Sequence, residues 1–364
     1  MKVMLAGGGT GGHVYPALAM GDALRERGHT VTYAGEPSRL EGRVAPERGY
    51  DFHAIRPPQY PRAGVWSKVR FAGSLFTSIV AARGILARER PDLILGVGGY
   101  IMAPTVLAAW TMGIPRVLHE SNVAPGLANR LCAKVADFLM LTYPQARERL
   151  GGRAESAVVG CPVNPKVLAG DPVAARARYG LDARPVLLVV GGSLGAATLN
   201  ALALAGARLS PRAWQLLWIT GPRYHDEVMK DLGEAPEGVV VVEYENRMAD
   251  AYAAADLVVC RAGSSTLAEL TAVGKPMVLV PSPNVTDNHQ EHNARGLEST
   301  GAAMVVVERD LDVPAALEAM ATLLADADRL AAMAEAARGQ GRLGVAEAVA
   351  ELLEDRFDGK PAAG

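Results

Sequence analysis

Short apolar runs recur along the chain, each giving way to a glycine-rich turn or to a stretch with helical spacing. In the first half Val3–Ala6, Val31–Ala34, Leu93–Gly96, Arg116–His119 and Phe138–Leu141 read as strands. In the second half Val186–Val190, Leu216–Thr220, Val239–Val242, Leu257–Cys260, Met277–Val280 and Ala303–Val307 do so. These runs are continuous in Val, Leu and Ile rather than alternating with polar residues, the pattern of parallel strands covered on both faces by helices. The Ala-rich segments Pro314–Arg338 and Val345–Arg356 read as closing helices. Two stretches without charge, Leu93–Pro115 and Pro185–Ala207, are long enough to span a bilayer. Glycine pairs break both, and Pro104 breaks the first, so each reads as strand, turn and helix.

The two halves repeat one grammar. "VMLAGGGTGG" (3–12) is answered by "LLVVGGSLGA" (187–196), and "DLILGVGGY" (92–100) by "DLVVCRAGSS" (256–265). "MGIPRVLHE" (112–120) likewise corresponds to "VGKPMVLVP" (273–281). The expected fold is α/β, with two doubly wound domains: residues 1–162, residues 163–340, and a C-terminal helix and tail, 341–364, packing back toward the N-terminal domain. Ligands of such sheets bind beyond the carboxyl ends of the strands, so a cleft is expected between the domains.

At 364 residues the chain is long enough for two cores. The net charge of -2 gives no overall pull toward nucleic acid. Cys132, Cys161 and Cys260 are far apart and odd in number, which suits reduced thiols rather than disulfides or a metal site.

The chemistry lies in the glycine turns. Gly7-x-Gly9-x-x-Gly12 follows a strand and opens a helix, where bare N–H groups and the helix dipole can receive an anion. It matches the dinucleotide fingerprint, but the region where that fingerprint wants a ribose-binding acid reads "TYAGEP", with Glu36 displaced past Gly35. Gly191-Gly192-Ser193-Leu194-Gly195 has the form of a hydrolase nucleophile elbow, with His225, His289 and His292 downstream. "CRAGSSTLAEL" (260–270) opens a further helix with Gly263, Ser264, Ser265 and Thr266, and sets Glu269 about one turn in. That cluster reads either as phosphate and ribose ligands or as an N-cap with a solvated glutamate. The D-x-D pairs Asp310/Asp312 and Asp326/Asp328 lie beyond the last core strand and read as surface caps.

Taken together and in order, "GGTGGH" (8–13), "GVGGY" (96–100), "HESN" (119–122), "GGSLGA" (191–196), "RAGSSTLAEL" (261–270) and "DNHQEHNA" (287–294) resemble a family. They closely resemble the glycosyltransferase family 28 enzymes of bacterial peptidoglycan synthesis that convert lipid I into lipid II. The resemblance implies a GT-B architecture, two Rossmann-like domains facing across a cleft, and an inverting transfer that needs no metal and no cofactor. It implies UDP-N-acetylglucosamine and lipid I as substrates, and an anionic membrane surface and other cell-wall synthesis proteins as partners. It also implies peripheral attachment to the cytoplasmic face of the plasma membrane.

Residue by residue, the resemblance assigns Ser193, Ser264, Ser265 and Thr266 to the donor's diphosphate, Glu269 to its ribose and Gln290 to the sugar. Glu245 falls where the family's backbone holds uracil. Thr10, Gly11, Gly12 and Asn122 line the donor sugar and acceptor side, and Gly98, Gly99 and Tyr100 the acceptor's diphosphate. Where family members carry an arginine after "G-x-P-V", this chain has Asn164.

His13 is placed by the resemblance at a functionally important position. At a helix start the dipole disfavours imidazolium, which suits a general base; the other reading is a hydrogen bond to the acceptor's diphosphate or to buried backbone. "GVWSKVRFAGSLFTSIVAAR" (64–83) carries Trp66, Phe71 and Phe76 with Lys68, Arg70 and Arg83 interleaved. It reads as a basic amphipathic helix for an anionic leaflet, or as an ordinary core-facing helix.

Overall fold

The computed structural model describes residues 1–56, 65–285 and 288–359; the side chains of residues 65–69 lie outside that description. The chain divides into two compact units, Met1–Asn164 with Gly344–Gly364, and Pro165–Leu343.

The first unit runs β1 (Lys2–Gly7), α1 (Gly11–Glu26), β2 (Thr30–Gly35), α2 (Leu40–Glu47), β3 (Asp51–Ala54), α3 (Val65–Glu89), β4 (Leu93–Gly98), α4 (Met102–Thr111), β5 (Arg116–Glu120), α5 (Leu127–Cys132), β6 (Phe138–Leu141), α6 (Ala146–Leu150) and β7 (Glu155–Val158). All its strands are parallel, in the order β3-β2-β1-β4-β5-β6-β7. The order reverses between β1 and β4, the topological switch point of a doubly wound sheet. Val3, Leu5, Leu93 and Leu95 face one core layer with α1; Met4, Ala6 and Ile94 face the other with α3 and α4. Alternate residues of one strand feeding two cores is why these strands are apolar throughout.

The second unit runs α7 (Pro172–Tyr179), β8 (Val186–Val190), α8 (Ala197–Ala207), β9 (Gln215–Ile219), α9 (His225–Leu232), β10 (Val239–Val242), α10 (Met248–Ala254), β11 (Leu257–Cys260), α11 (Ser264–Val273), β12 (Met277–Leu279), α12 (His289–Glu298), β13 (Ala303–Val305), α13 (Val313–Ala325) and α14 (Ala327–Gln340). Its strands are also parallel, ordered β10-β9-β8-β11-β12-β13, and reverse between β8 and β11. The chain then enters α15 (Val345–Phe357), whose Val345, Ala346, Val349, Ala350 and Leu353 are buried in the first unit's core beside α1.

Two differences from the sequence reading have physical causes. The single helix expected over Pro314–Arg338 is two, because Asp326 leaves the helical conformation and its carboxylate accepts the Arg329 N–H as the N-cap of α14. Strands β3 ("DFHA") and β7 ("ESAV") were not expected. Both are edge strands with exposed positions, so neither needs a continuous apolar run.

Candidate functional site

The four glycine turns are the four loops at the two switch points: after β1 and β4 in the first unit, and after β8 and β11 in the second. None of α1, α4, α8 and α11, the helices these turns open, has a side-chain cap at its N-terminus. Helix starts carry about half a positive charge and orphaned N–H donors.

In the first unit the turns after β1 and β4 pack on one another. Gly8 N–H donates to Gly98 O at 3.3 Å. A Cβ on Gly99 would lie 2.4 Å from Gly8 O, and one on Gly98 would lie 2.6 Å from Cδ2 and 2.7 Å from Nε2 of His13. Both glycines have positive φ, +107° at Gly98 and +81° at Gly99. The imidazole of His13, third residue of α1, therefore lies over bare backbone. Its Nδ1 is 3.2 Å from Thr10 Oγ1. When Nδ1 carries the proton and donates it to Thr10, the lone pair is on Nε2, the edge that faces Gly98. The Gly11 and Gly12 backbones form the first turn of α1, and Tyr100 is half-buried after the second turn.

Asn122 is buried beside a polar group that the sequence reading quoted but did not assign. Its backbone N–H and Nδ2 donate to Glu120 Oε1 at 2.9 and 3.2 Å, and Asn129 Nδ2 donates to Glu120 Oε2 at 2.7 Å. Burial pushes the Glu120 carboxyl up to about 7, against the pull of these donors. Burial likewise pushes His119 down to about 4; its Nε2–H donates to Gly160 O at 2.9 Å. The strand pattern of "RVLHE" does not show that its last two residues are buried in a polar cluster.

In the second unit Ser193 is exposed on the turn after β8, while Ser264 is buried and Ser265 and Thr266 half-buried at the start of α11. The Ser265 hydroxyl is buried without a hydrogen-bond partner among the described residues. Glu269, one and a half turns into α11, accepts the Tyr252 hydroxyl at 2.8 Å, and burial holds its carboxyl up at about 7. Gln290 accepts the Ser282 N–H on its Oε1 at 2.9 Å. Glu245 is a scaffold. Its side chain is almost fully enclosed, taking hydrogen bonds from Tyr179 Oη at 2.6 Å and the Arg247 N–H at 2.6 Å and pairing with Arg178 at 3.0 Å. These contacts tie the turn after β10 to α7.

The competing motif readings find no support in this geometry. His225 Nδ1 is 3.1 Å from Thr220 Oγ1, and Ser193 projects into solvent. Glu36 holds Ser38 Oγ at 3.0 Å and Arg39 at 3.5 Å. Asp312 and Asp326 cap α13 and α14.

Of the residues expected at a membrane, Trp66 and Lys68 lie among those whose side chains are not described. Arg70 is exposed and Phe71 half-buried. Phe76 and Val80, one turn apart on α3, are 67% and 52% exposed. Trp110 on α4, the helix packed beside α3, is 54% exposed. Ser78, Ala82 and Leu86 form the buried stripe of α3. No helix among the described residues is long and apolar enough to cross a membrane.

Residues 3–140 match the glycosyltransferase family 28 N-terminal domain, and residues 186–351 match the family's C-terminal domain. The chain is 43% identical to the UDP-N-acetylglucosamine–N-acetylmuramyl-(pentapeptide) pyrophosphoryl-undecaprenol N-acetylglucosamine transferase of Salinibacter ruber, over 98% of this chain and 97% of that one. It is 34% identical to the enzyme of the same name from Acetivibrio thermocellus over the full length of both. The crystal structure of Acinetobacter baumannii MurG aligns with a TM-score of 0.77 at 27% identity, covering 97% of this chain and 99% of that one. The chain therefore belongs to glycosyltransferase family 28.

Proposed function

We propose that this protein transfers N-acetylglucosamine from UDP-N-acetylglucosamine to the C4 hydroxyl of the muramoyl-peptide of lipid I, giving lipid II. The single observation that carries the reading is the coincidence of all four glycine turns with the two switch points, in a chain similar from end to end to transferases named for this reaction.

The second unit takes the donor. N–H groups at the starts of α8 and α11, with Ser193, Ser264, Ser265 and Thr266, receive the diphosphate, and they stabilise its growing charge without a metal ion because the donors are already in place. The Glu269 carboxylate accepts from the ribose diol, and Gln290 donates to sugar hydroxyls. The first unit takes the acceptor, with Gly98, Gly99 and Tyr100 at its diphosphate and Thr10, Gly11, Gly12 and Asn122 near the reacting sugars. His13 Nε2 accepts the proton of the acceptor's C4 hydroxyl as that oxygen bonds to the anomeric carbon from the face opposite UDP. The bond from the anomeric carbon to the phosphate oxygen breaks, its electron pair leaves with UDP, and configuration inverts.

The lipid tail of the acceptor requires the enzyme to work at a membrane. Phe76, Val80 and Trp110 offer an apolar surface, and Arg70 and Arg83 flank it with positive charge, a composition suited to an anionic leaflet. This supports a peripheral enzyme on the cytoplasmic face of the plasma membrane. Labelled N-acetylglucosamine, its UDP donor, a short-chain lipid I analogue and a chelator test the whole reading. Labelled lipid II analogue is the expected product; UDP-sugar consumption that yields no such product, or product only when magnesium is restored, would refute it.

A further inference from the structure

The turn after β1 is held by a group outside every motif that the sequence reading used. Glu41, second residue of α2, is fully buried. Its Oε2 accepts the Gly9 N–H at 3.0 Å and its Oε1 the Glu36 N–H at 3.3 Å. One carboxylate thus ties together the turns that follow β1 and β2. The packing is tight: a Cβ on Gly8 would lie 2.2 Å from the Glu41 carboxylate, and one on Gly35 would lie 2.7 Å from its Cγ. Gly8, at φ +155°, holds a conformation that side chains rarely adopt, so the backbone and the neighbouring carboxylate together demand glycine there.

In a dinucleotide enzyme the N–H groups of such a turn point at a bound diphosphate. Here a built-in carboxylate already accepts one of them. Charge-assisted bonds of this kind are roughly twice as strong as neutral ones, and a low-dielectric surround strengthens them further. The residue that follows Gly9 is Thr10, whose hydroxyl meets His13 Nδ1, and the ring of His13 then rests on Gly98. An unbroken chain of contacts runs from the Glu41 carboxylate through Gly9 and Thr10 to the imidazole.

We infer that Glu41 is a positioning residue: acting as an internal anion, it sets the glycine turn and fixes the orientation of His13 before substrate arrives. The inference rests on the reading of His13 as the base. It does not place Glu41 in contact with substrate, so its removal lowers turnover and spares donor affinity.

The test compares wild type, Glu41→Gln and Glu41→Ala in the full-length protein, alone and on a His13→Ala background. Glu41→Ala, which removes both acceptors, is expected to lower kcat on the order of 100-fold with the donor KM within twofold, since a misplacement near 1 Å at a catalytic group costs about that much. Glu41→Gln keeps one acceptor and is expected to fall between the two. On the His13→Ala background the Glu41 changes are expected to add less than twofold. Wild-type kcat in a folded Glu41→Ala protein would overturn the proposal, as would a raised donor KM at unchanged kcat. Full activity of His13→Ala would instead sink the reading of His13 and is recognisable as that separate failure. A readout without substrate covers an Ala variant that does not fold: Gly9 and Thr10 amide and His13 ring resonances are expected to move in Glu41→Gln, and unchanged resonances would overturn the proposal.

Discussion

Substituting Gly98 by alanine probes the seat of His13 directly. The new methyl would begin 2.6 Å from the ring, against the 3.4 Å at which ordinary contact starts, so the imidazole must withdraw by about 0.8 Å. Displacement on this scale at a catalytic group costs roughly 100-fold in rate. The backbone contributes separately. At φ +107° an alanine is strained by about 1–3 kcal/mol, which for a domain of this size lowers Tm by roughly 4–8 °C at the middle of that range. Gly113→Ala isolates the second effect: Gly113 is also at positive φ, +70°, but its Cβ would meet nothing within 4 Å. The assay is steady-state transfer to a soluble lipid I analogue with donor affinity measured by calorimetry, alongside thermal unfolding. Gly98→Ala is expected to lose at least as much thermal stability as Gly113→Ala, while only Gly98→Ala loses turnover, about 100-fold, with donor affinity unchanged. In the His13→Ala background Gly98→Ala is expected to add little, since the two changes act through one ring. Equal kcat for Gly98→Ala and Gly113→Ala, or a loss of donor affinity in Gly98→Ala, would refute the reasoning.

Other consequences follow from the buried groups and the exposed face. Because Glu269 titrates near 7, its carboxylate is present above that pH and protonated below it; the donor KM is expected to rise as pH falls through 7 in wild type and to stay flat in Glu269→Gln. His119 has its pKa lowered from 6.5 to about 4 in the folded state. Its stabilising contribution is therefore complete above pH 6.5 and lost as pH falls toward 4, by up to about 3 kcal/mol at 1.36 kcal/mol per pH unit. Thermal unfolding from pH 7 to 4 is expected to show a steeper fall in Tm for wild type than for His119→Gln. Phe76→Glu combined with Trp110→Glu is expected to abolish sedimentation with anionic vesicles while transfer to a short-chain soluble acceptor persists; undiminished sedimentation would leave this face without a membrane role.

The parallel-sheet architecture was legible because each central strand is covered on both faces, which forces a run of Val, Leu and Ile whatever the function. The edge strands β3 and β7 escaped notice for the converse reason: "DFHA" and "ESAV" are half solvated and carry little apolar signal. The glycine turns were legible because close backbone approach excludes side chains, as at Gly98 and Gly99. The groups that support those turns were not. Glu41 lies in "SRLEGRVAPE", which reads as the charged first turn of a surface helix, and only the folded chain turns its carboxylate inward onto Gly9. Glu120 and Asn129 are likewise separated by a loop and a helical turn, and their pairing depends on α5 returning over the end of β5. Backbone requirements are written locally, whereas the polar contacts that orient a site join residues distant in sequence.

The most direct measurement compares the single-turnover rate of sugar transfer with the calorimetric Kd for UDP-N-acetylglucosamine in the same sample of His13→Ala, with chelator present throughout. The expected result is a donor Kd within twofold of wild type and a transfer rate lower by about 1,000-fold, within the 10²–10⁴ that a positioned general base supplies. A transfer rate near wild type, or a donor Kd that collapses along with it, would contradict the assignment of His13 to the proton and of the second unit to the donor.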